Sequence, residues 1–343
     1  MPGVDDTVSL VAVNARSDSS CNDSILRGFA SAPASWYYVG SVEEITRTPQ
    51  RFELPDGQTF VAFGTSDGRI AVLGARCSHM GADLSRGCVK DGRIVCPLHG
   101  WEYAGDGKCA RIPASAEIPP FAHQPSFPVE ERGGHVFFFN RAEAKFPMPF
   151  FDGVSPDELL PARPFDLWDD VPWYLVGSNG FDQQHFEMTH DRRLIAEPVV
   201  DSPHPFARRC QLDLEIGGTS YVDRLTRALA GTRSRMTVTS WCGTMIFGTA
   251  KFPRVTTYGL ATVRPLQNLA THARVIVWVR RSENPVARWL VDPLNAVFRR
   301  HFIKAFFKSD LGRLTGTRFR PDRMIPADKM LVEYLAWLQS IHR

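Results

Sequence analysis

The chain has 343 residues, which is enough for one large domain or two ordinary ones with a sizeable core. Its 43% hydrophobic and 22% charged residues are typical of a globular protein in water, and a net charge of +3 is too small to favour a nucleic-acid partner. No apolar run approaches the roughly 18 residues of a membrane span, the first residues lack the basic region of a signal peptide, and the cysteine usage favours a reduced, cytoplasmic location.

The predicted elements divide the chain into four stretches. Residues 1–35 are taken as an N-terminal extension. Residues 36–145 contain short apolar runs such as FVAFGT, IAVLGA and HVFFFN, separated by the turn sequences PDG, SDG and KDG, and this pattern predicts a small domain of antiparallel strands. Residues 146–164 are proline-rich and aperiodic, which indicates a linker. Residues 165–343 form the second predicted domain, so the expected fold class is α+β.

The second domain is expected to combine one sheet with several helices. The stretch VPWYLVGSNGFDQQHFEMTH has helical character in its middle part. Residues 209–282 alternate between apolar and polar side chains, which predicts a sheet with one buried face. Two helices are predicted to finish the chain, from Asp292 to about Leu314 and from Pro326 to His342.

Two cysteine–histidine pairs lie in the first domain. Cys77 and His79 are separated by one residue, and Cys96 and His99 by two. Two thiolates and two imidazoles suit either a structural zinc ion or an iron–sulfur cluster with two cysteines on one iron and two histidines on the other. Zinc sites of this composition more often carry both histidines on one helix. Here each cysteine has its own histidine on its own loop, which favours the cluster.

A second set of potential ligands begins at His185 and His190, five residues apart on a predicted helix. Two histidines and a carboxylate form the facial triad of non-heme iron sites, which leaves three coordination positions open. On an ideal helix the two side chains would diverge by roughly 140°. We therefore expect a π-type bulge between them, since such bulges occur at functional sites.

The carboxylate is expected further along the chain, at Asp310. It follows Phe306 and Phe307 by four and three residues, so it lies on their apolar stripe, where a carboxylate requires a positive partner. Asp292 precedes a proline and is predicted to be the N-cap of a helix. Glu187 is the alternative ligand within the histidine helix, although a solvated surface charge explains it better.

These motifs resemble a known family. C-x-H-x16-C-x-x-H-G-W together with N-x2-D-x2-H-x4-H is similar to the terminal oxygenase (alpha) subunits of the Rieske non-heme iron oxygenases. The resemblance implies an all-β Rieske domain followed by a helix-grip (START-like) catalytic domain with an antiparallel sheet. It also implies roles for nine residues: [2Fe-2S] ligands at Cys77, His79, Cys96 and His99; Fe(II) ligands at His185, His190 and Asp310; an inter-subunit bridging carboxylate at Asp182; and a supporting position at Asn179. The alternative for Asp182 is a plain charge at a helix N-terminus.

The function implied by this resemblance is reductive activation of O2. Electrons from NAD(P)H would arrive through a separate ferredoxin or reductase, because the chain lacks a convincing nucleotide-binding G-x-G-x-x-G unit. A cyclic homotrimer would bring one subunit's cluster to its neighbour's iron. The single-chain layout resembles the monooxygenase branch, which includes ketosteroid hydroxylases, demethylases and arylamine N-oxygenases, and a hydrophobic aromatic or polycyclic substrate from secondary metabolism is expected.

Several alternatives stay open. The reaction could instead be arene cis-dihydroxylation, or the chain could be a Rieske electron-transfer protein with a vestigial second iron site. The strands of the second domain are expected to line the pocket or to pack in the core with these four residues: Trp241, Met245, Phe247 and Tyr258. The basic residues between Arg299 and Arg323 could dock an acidic ferredoxin or form a solvated helix face.

Overall fold

The computed structural model describes residue 29 and residues 31–266 and 270–342. Most of the predicted N-terminal extension therefore lies outside the described residues. Across the described ranges the chain is α+β, with an all-β N-terminal part followed by a large antiparallel sheet with helices, as the sequence predicts. None of the helices in these ranges is long and apolar enough to cross a membrane.

Three small antiparallel sheets build the N-terminal part. Their strands, in sheet order, are β1 (Trp36–Ser41), β11 (His135–Phe139) and β10 (Val129–Arg132); β2 (Gln50–Glu53), β3 (Thr59–Gly64), β4 (Ile70–Gly74) and β9 (Ser126–Phe127); and β5 (Cys88–Lys90), β6 (Arg93–Val95), β7 (Glu102–Tyr103) and β8 (Cys109–Arg111). Helix α1 (Val42–Arg47) follows β1 and begins with a capping box in which Ser41 and Glu44 satisfy each other's backbone N–H groups.

The large sheet of the C-terminal part has nine strands in the described ranges. They are β12 (Leu159–Pro161), β13 (Phe165–Asp169), β14 (Arg192–Leu194), β15 (Val199–His204), β16 (Ala207–Ile216), β17 (Arg233–Trp241), β18 (Met245–Lys251), β19 (Thr256–Pro265) and β20 (Thr271–Arg280). Strands β16 to β20 pair antiparallel with their sequence neighbours, so they form a continuous meander. The short strand β12 comes from the predicted linker and pairs with β20.

The two faces of this sheet have different neighbours. Met245 and Phe247 on β18, and Tyr258 on β19, are buried in a core cluster with Trp36 and Phe139 of the N-terminal part. Trp241 packs against the same cluster. Successive side chains of a strand point to opposite faces. The other face of β18 therefore carries Ile246, Gly248 and Ala250, which line a cavity. Of the two expectations for the four aromatic and methionine residues, core packing is correct, and the lining comes from their sequence neighbours.

Five helices accompany the large sheet in the described ranges. They are α2 (Trp173–Ser178), α3 (Gln183–His190), α4 (Tyr221–Leu229), α5 (Pro285–Leu314) and α6 (Lys329–Ser340). Helix α6 is shorter than predicted, because Pro326–Asp328 forms a separate 3-10 turn.

Helix α5 begins seven residues earlier than predicted. Its first turn is capped by the side chain of Asn284, whose Oδ1 accepts hydrogen bonds from the backbone N–H of Val286 (2.8 Å) and of Ala287 (3.2 Å). The prediction that Asp292 is the N-cap is wrong. Asp292 is 2% exposed and instead accepts from the backbone N–H of Ser282 (2.8 Å) and from its hydroxyl (2.5 Å). The proline that follows Asp292 lies inside the helix.

Candidate metal centres and the adjoining cavity

Two similar loops hold the cysteine–histidine pairs. The first follows β4 and the second follows β6. In each loop the cysteine carbonyl accepts a hydrogen bond from a glycine four residues later, Cys77 from Gly81 (2.8 Å) and Cys96 from Gly100 (3.0 Å). Both glycines have a left-handed backbone, with φ of 72° and 68°, which other residues adopt only at a cost. Each loop is therefore one tight turn that presents its cysteine and histidine together.

The four side chains of these loops form one cluster at the surface. Cys77 and Cys96 are each 3% exposed, whereas His79 and His99 are exposed, with ring centroids 4.9 Å apart. The Trp101 ring stacks on His79 at 4.5 Å. Buried thiols with an accessible histidine edge are the donor set of a cluster that has two cysteines on one iron and two histidines on the other.

Hydrogen-bond donors surround the buried sulfurs. Tyr103 Oη lies 3.1 Å from Cys77 Sγ. Burial raises the pKa of the Cys96 thiol, and the backbone N–H groups of Leu98 and His99 oppose that shift by pointing at its sulfur. Such N–H groups stabilise a sulfur that carries negative charge, as a cluster ligand does.

The histidine helix α3 is positioned from both ends. Asp182 is its N-cap, and its Oδ1 accepts from the backbone N–H of His185 at 3.1 Å. Behind the other end, the guanidinium of Arg192 donates to the carbonyl of His190 at 2.7 Å and pairs with the buried carboxylate of Asp223 at 2.8 Å. The sequence motifs gave no indication of this arginine–aspartate pair, because its members are 31 residues apart on elements that are joined only in the fold.

The prediction of a π-type bulge between His185 and His190 is wrong, since α3 is α-helical from Gln183 to His190. A wider, five-residue hydrogen bond occurs instead at the C-terminal end of the helix. There the backbone N–H of Asp191 donates to the carbonyl of Phe186, five residues earlier, and Asp191 has a left-handed φ of 51°. His190 is the last helical residue, and its side chain reaches that of His185.

His185, His190 and Asp310 converge on one point. The Nε2 atoms of the two histidines are 3.2 Å apart, and Asp310 Oδ1 lies 2.8 Å from His190 Nε2 and 3.5 Å from His185 Nε2. Their side chains are only 5–10% exposed. Phe306 stacks on the His190 ring at 3.9 Å. The structure thus brings together the three residues that the sequence analysis proposed as ligands, and their ligand role stays a prediction.

The fit of this site to a cation rests on Asp310. Its Oδ1 is buried and has no aligned hydrogen bond despite the short distance to His190. Burial raises the pKa of the Asp310 carboxyl, but the two imidazoles outweigh this effect and hold the pKa below its usual value. An anionic oxygen without a hydrogen bond, next to two imidazole nitrogens, suits a divalent metal ion.

The remaining residues considered in the sequence analysis lie outside the group of three converging side chains. Glu187 is exposed on the outer side of α3 and is not part of this group. Asn179 lies in the turn before α3 and lines the cavity next to the triad. The basic residues of α5 do not form one solvated face, because Arg300 donates to the carbonyl of Arg163 (2.6 Å) and Arg299 to that of Thr256 (3.3 Å).

Two adjoining cavities lie near the triad. The inner one, about 150 Å³, is lined by the three triad residues, and the outer one, about 420 Å³, lies between α4, α5 and the sheet. Both are mostly apolar, and they adjoin each other, because they share six lining residues: Phe186, Met236, Ala250, Thr257, Ile303 and Phe306. Together they have the size of a small-molecule site.

Comparison with known proteins agrees with this geometry. Residues 35–125 match the Rieske [2Fe-2S] domain family. A probable 3-ketosteroid-9-alpha-monooxygenase, oxygenase component, from Rhodococcus rhodochrous is 32% identical over 175 residues, which is 50% of this chain and 40% of that protein. The chain thus matches less than half the length of this relative, and the second relative, also from Rhodococcus rhodochrous, is covered to the same 40%.

Two solved structures resemble most of the chain. Dicamba monooxygenase bound to dicamba has a TM-score of 0.69 at 18% identity and covers 90% of this chain and 97% of its own. The NdmA QL mutant of Pseudomonas putida CBB5 with theobromine has a TM-score of 0.66 at 20% identity and covers 93% and 91%. At these identities the likeness concerns the fold.

The loops and the family match define the N-terminal part of the chain as a Rieske [2Fe-2S] domain. With the large antiparallel sheet and its helices, the chain has the fold of the Rieske oxygenases, and the resemblance noted in the sequence is confirmed at that level.

Proposed function

We propose that the chain is the terminal oxygenase of a Rieske non-heme iron system, with a catalytic domain at residues 165–343. It would use O2 and electrons from NAD(P)H, delivered by a separate ferredoxin or reductase, to oxidise a hydrophobic small molecule. Monooxygenation is favoured over dioxygenation because the two relatives from Rhodococcus rhodochrous and the dicamba enzyme are named monooxygenases. A cytoplasmic location fits the need for a reduced nicotinamide donor.

One observation carries this proposal. In a chain with a Rieske domain, two imidazoles and a buried carboxylate oxygen without an aligned hydrogen bond meet in the wall of an apolar cavity. His185 and His190 come from one short helix and Asp310 from another, and all three side chains line the inner cavity. A metal ion held by these three donors would keep coordination positions open for small molecules.

The residues divide the chemistry between two sites. When bound, a [2Fe-2S] cluster supplies single electrons, and a ferrous ion supplies open coordination positions at which O2 is reduced. Cys77, Cys96, His79 and His99 would hold the cluster. The apolar cavity wall would exclude water from the triad and orient the substrate by shape. Phe306 would fix the ring of His190 by stacking.

A cyclic homotrimer is part of the proposal. The histidine edge of the Rieske domain is open, since His79 and His99 are exposed beside the apolar side chains of Met80 (68% exposed) and Leu98 (54%). Asp182 is partly exposed at the start of α3, close to the triad. A head-to-tail ring would let the cluster edge of one subunit contact the Asp182 region of the next. The exposed apolar rim around the histidines would then be buried.

Metal analysis tests the proposal directly. We expect about three irons and about two acid-labile sulfides per chain, with the visible absorption of a Rieske cluster. About two irons would support only an electron carrier, and zinc without sulfide would contradict both assignments. Incorporation of ¹⁸O from ¹⁸O2 into product, with a surrogate ferredoxin and reductase, would then distinguish monooxygenation from other outcomes.

A further inference from the structure

Arg299 is a partly buried arginine of the cavity wall, and no carboxylate in the described part of the chain pairs with it. Arg299 lies on α5 and lines the outer cavity, while Asp310 lies on the same helix and lines the inner one. Ile303 and Phe306 line both cavities between them, so these positions, spaced by three to four residues, form one face of the helix. Asp310 follows Arg299 by eleven positions, which corresponds to about 16 Å along the helix axis.

The contacts of Arg299 involve only neutral groups. Its Nε donates to Asn295 Oδ1 at 2.9 Å, and its Nη1 donates to the carbonyl of Thr256 at 3.3 Å and to the Thr257 hydroxyl. Among the described residues no carboxylate pairs with it, and its Nη2 makes no hydrogen bond. Burial lowers the pKa of Arg299, and no nearby carboxylate opposes that effect.

Two other arginines of this domain pair with carboxylates. Arg192, which also lines the outer cavity, pairs with Asp223 at 2.8 Å, and Arg235 pairs with Asp213 at 2.8 Å. A partly buried guanidinium next to an apolar space is costly unless an anion joins it. The attraction between them would be stronger there than at the surface, because the apolar wall lowers the local dielectric constant.

We propose that Arg299 selects substrates that carry a carboxylate, which its free Nη2 would bind at the outer end of the cavity. This inference rests on the proposed function, since it takes the triad as the place of oxidation. The substrate class is an elongated apolar acid whose carboxylate lies roughly 10–15 Å from the oxidised carbon, as the helix spacing requires. Such a length exceeds a single aromatic ring and suits a fused-ring acid. Asn295 and Thr257 would act as positioning residues that hold the guanidinium.

The test compares one acid with its uncharged ester. 5β-Cholanic acid and its methyl ester share the fused-ring body and differ in charge. Binding of each to the holoenzyme is measured by equilibrium dialysis at low and high salt. We expect the wild-type protein to bind the acid at least about tenfold more tightly than the ester. R299Q should remove this preference and leave ester affinity unchanged, whereas R299K should keep part of it.

Arg254 provides the matched control. It lines the same cavity but is exposed at the rim, where its Nη1 donates to the carbonyl of Ala228. R254Q makes the same change in charge and should keep the acid preference. Equal affinity of the wild-type protein for acid and ester, absence of saturable binding of the acid, or equal loss of both ligands in R299Q would each overturn the inference. Turnover is not measured, so a failure of the oxygenase assignment would appear in metal content and leave this result unaffected.

Discussion

Asp182 has two possible functions that substitution can separate. In the structure its Oδ1 caps α3 by accepting from the backbone N–H of His185 at 3.1 Å. Among the described residues its Oδ2 has no hydrogen-bond partner, and the side chain is partly exposed. It could therefore also accept a hydrogen bond from a histidine of a neighbouring subunit's cluster, as the oxygenase proposal requires.

Two replacements separate capping from bridging. Asn caps a helix about as well as Asp, whereas Ala does not and costs about 1 kcal/mol. D182A should therefore lower the melting temperature by on the order of 2 °C, and D182N should leave it unchanged. Both variants lose the negative charge, so both should lose at least about tenfold in product formation, because a charge-assisted hydrogen bond between subunits is removed.

The assay follows three quantities in each variant. Iron and sulfide content shows whether both centres are still occupied, thermal melting reports the cap, and product formed per cluster oxidised reports electron transfer. We expect D182N to keep the metal content and the melting temperature of the wild-type protein and to lose turnover. Near-normal turnover of D182N, together with impaired D182A, would show that Asp182 acts only as a helix cap and would refute the bridging role.

Three further predictions concern single side chains. D310N removes the anionic donor of the triad, so iron should fall from about three to about two per chain while the visible cluster absorption persists, and unchanged iron would argue against Asp310 as a ligand. Y103F removes the hydroxyl that lies 3.1 Å from Cys77 Sγ and should lower the midpoint potential of the cluster by on the order of 40 mV, the equivalent of a hydrogen bond worth about 1 kcal/mol, which a spectroelectrochemical titration would detect. Burial lowers the pKa of His135 from 6.5 to about 4. Between these pH values the imidazole is protonated in the unfolded state and neutral in the folded state, so the free energy of unfolding falls as the pH drops from about 6.5 towards 4. H135Q should reduce the loss of unfolding free energy between pH 7 and pH 5 by about 2 kcal/mol, and an identical pH profile would show that His135 is not the group responsible.

The ligand loops could be predicted because their determinants are local. The spacing C-x-H-x16-C-x-x-H-G-W lies within two short loops and is enough to indicate a Rieske domain, which the family match confirms. The placement of Asp310 beside His185 and His190 followed from the cost of a carboxylate on an apolar helix stripe. These arguments need few long-range contacts. The assignment of the three residues as iron ligands stays a prediction that metal analysis will decide.

The errors came from competition between local signals. An aspartate followed by a proline is a strong helix start, yet Asn284 caps α5 earlier and Asp292 is used by Ser282. The helix continues through the proline, and the preceding turn carries exposed side chains such as Trp289 (77% exposed), where water can solvate the freed carbonyl.

The sequence did not show which face of strand β18 lines the cavity. Both faces of β18 are covered, one by the N-terminal part and one by the cavity, so apolar residues occur on both and hydrophobicity cannot distinguish them. A shift of the strand by one residue would move every side chain to the opposite face of the sheet. The large side chains at Met245 and Phe247 fill the interface between domains, while glycine and alanine on the other face leave room for a ligand.

The shared helix α5 has a consequence for the evolution of specificity. Because Asp310 and Arg299 belong to one continuous helix, the rise of that helix would set the distance between the oxidised carbon and the charged end of a substrate. Moving the cation by four residues, to position 295 or 303, would lengthen or shorten the preferred molecule by about 6 Å without changing the three predicted metal ligands. The preferred substrate length would then change in steps of about one helical turn. Related enzymes could change it through a pair of substitutions on α5 alone.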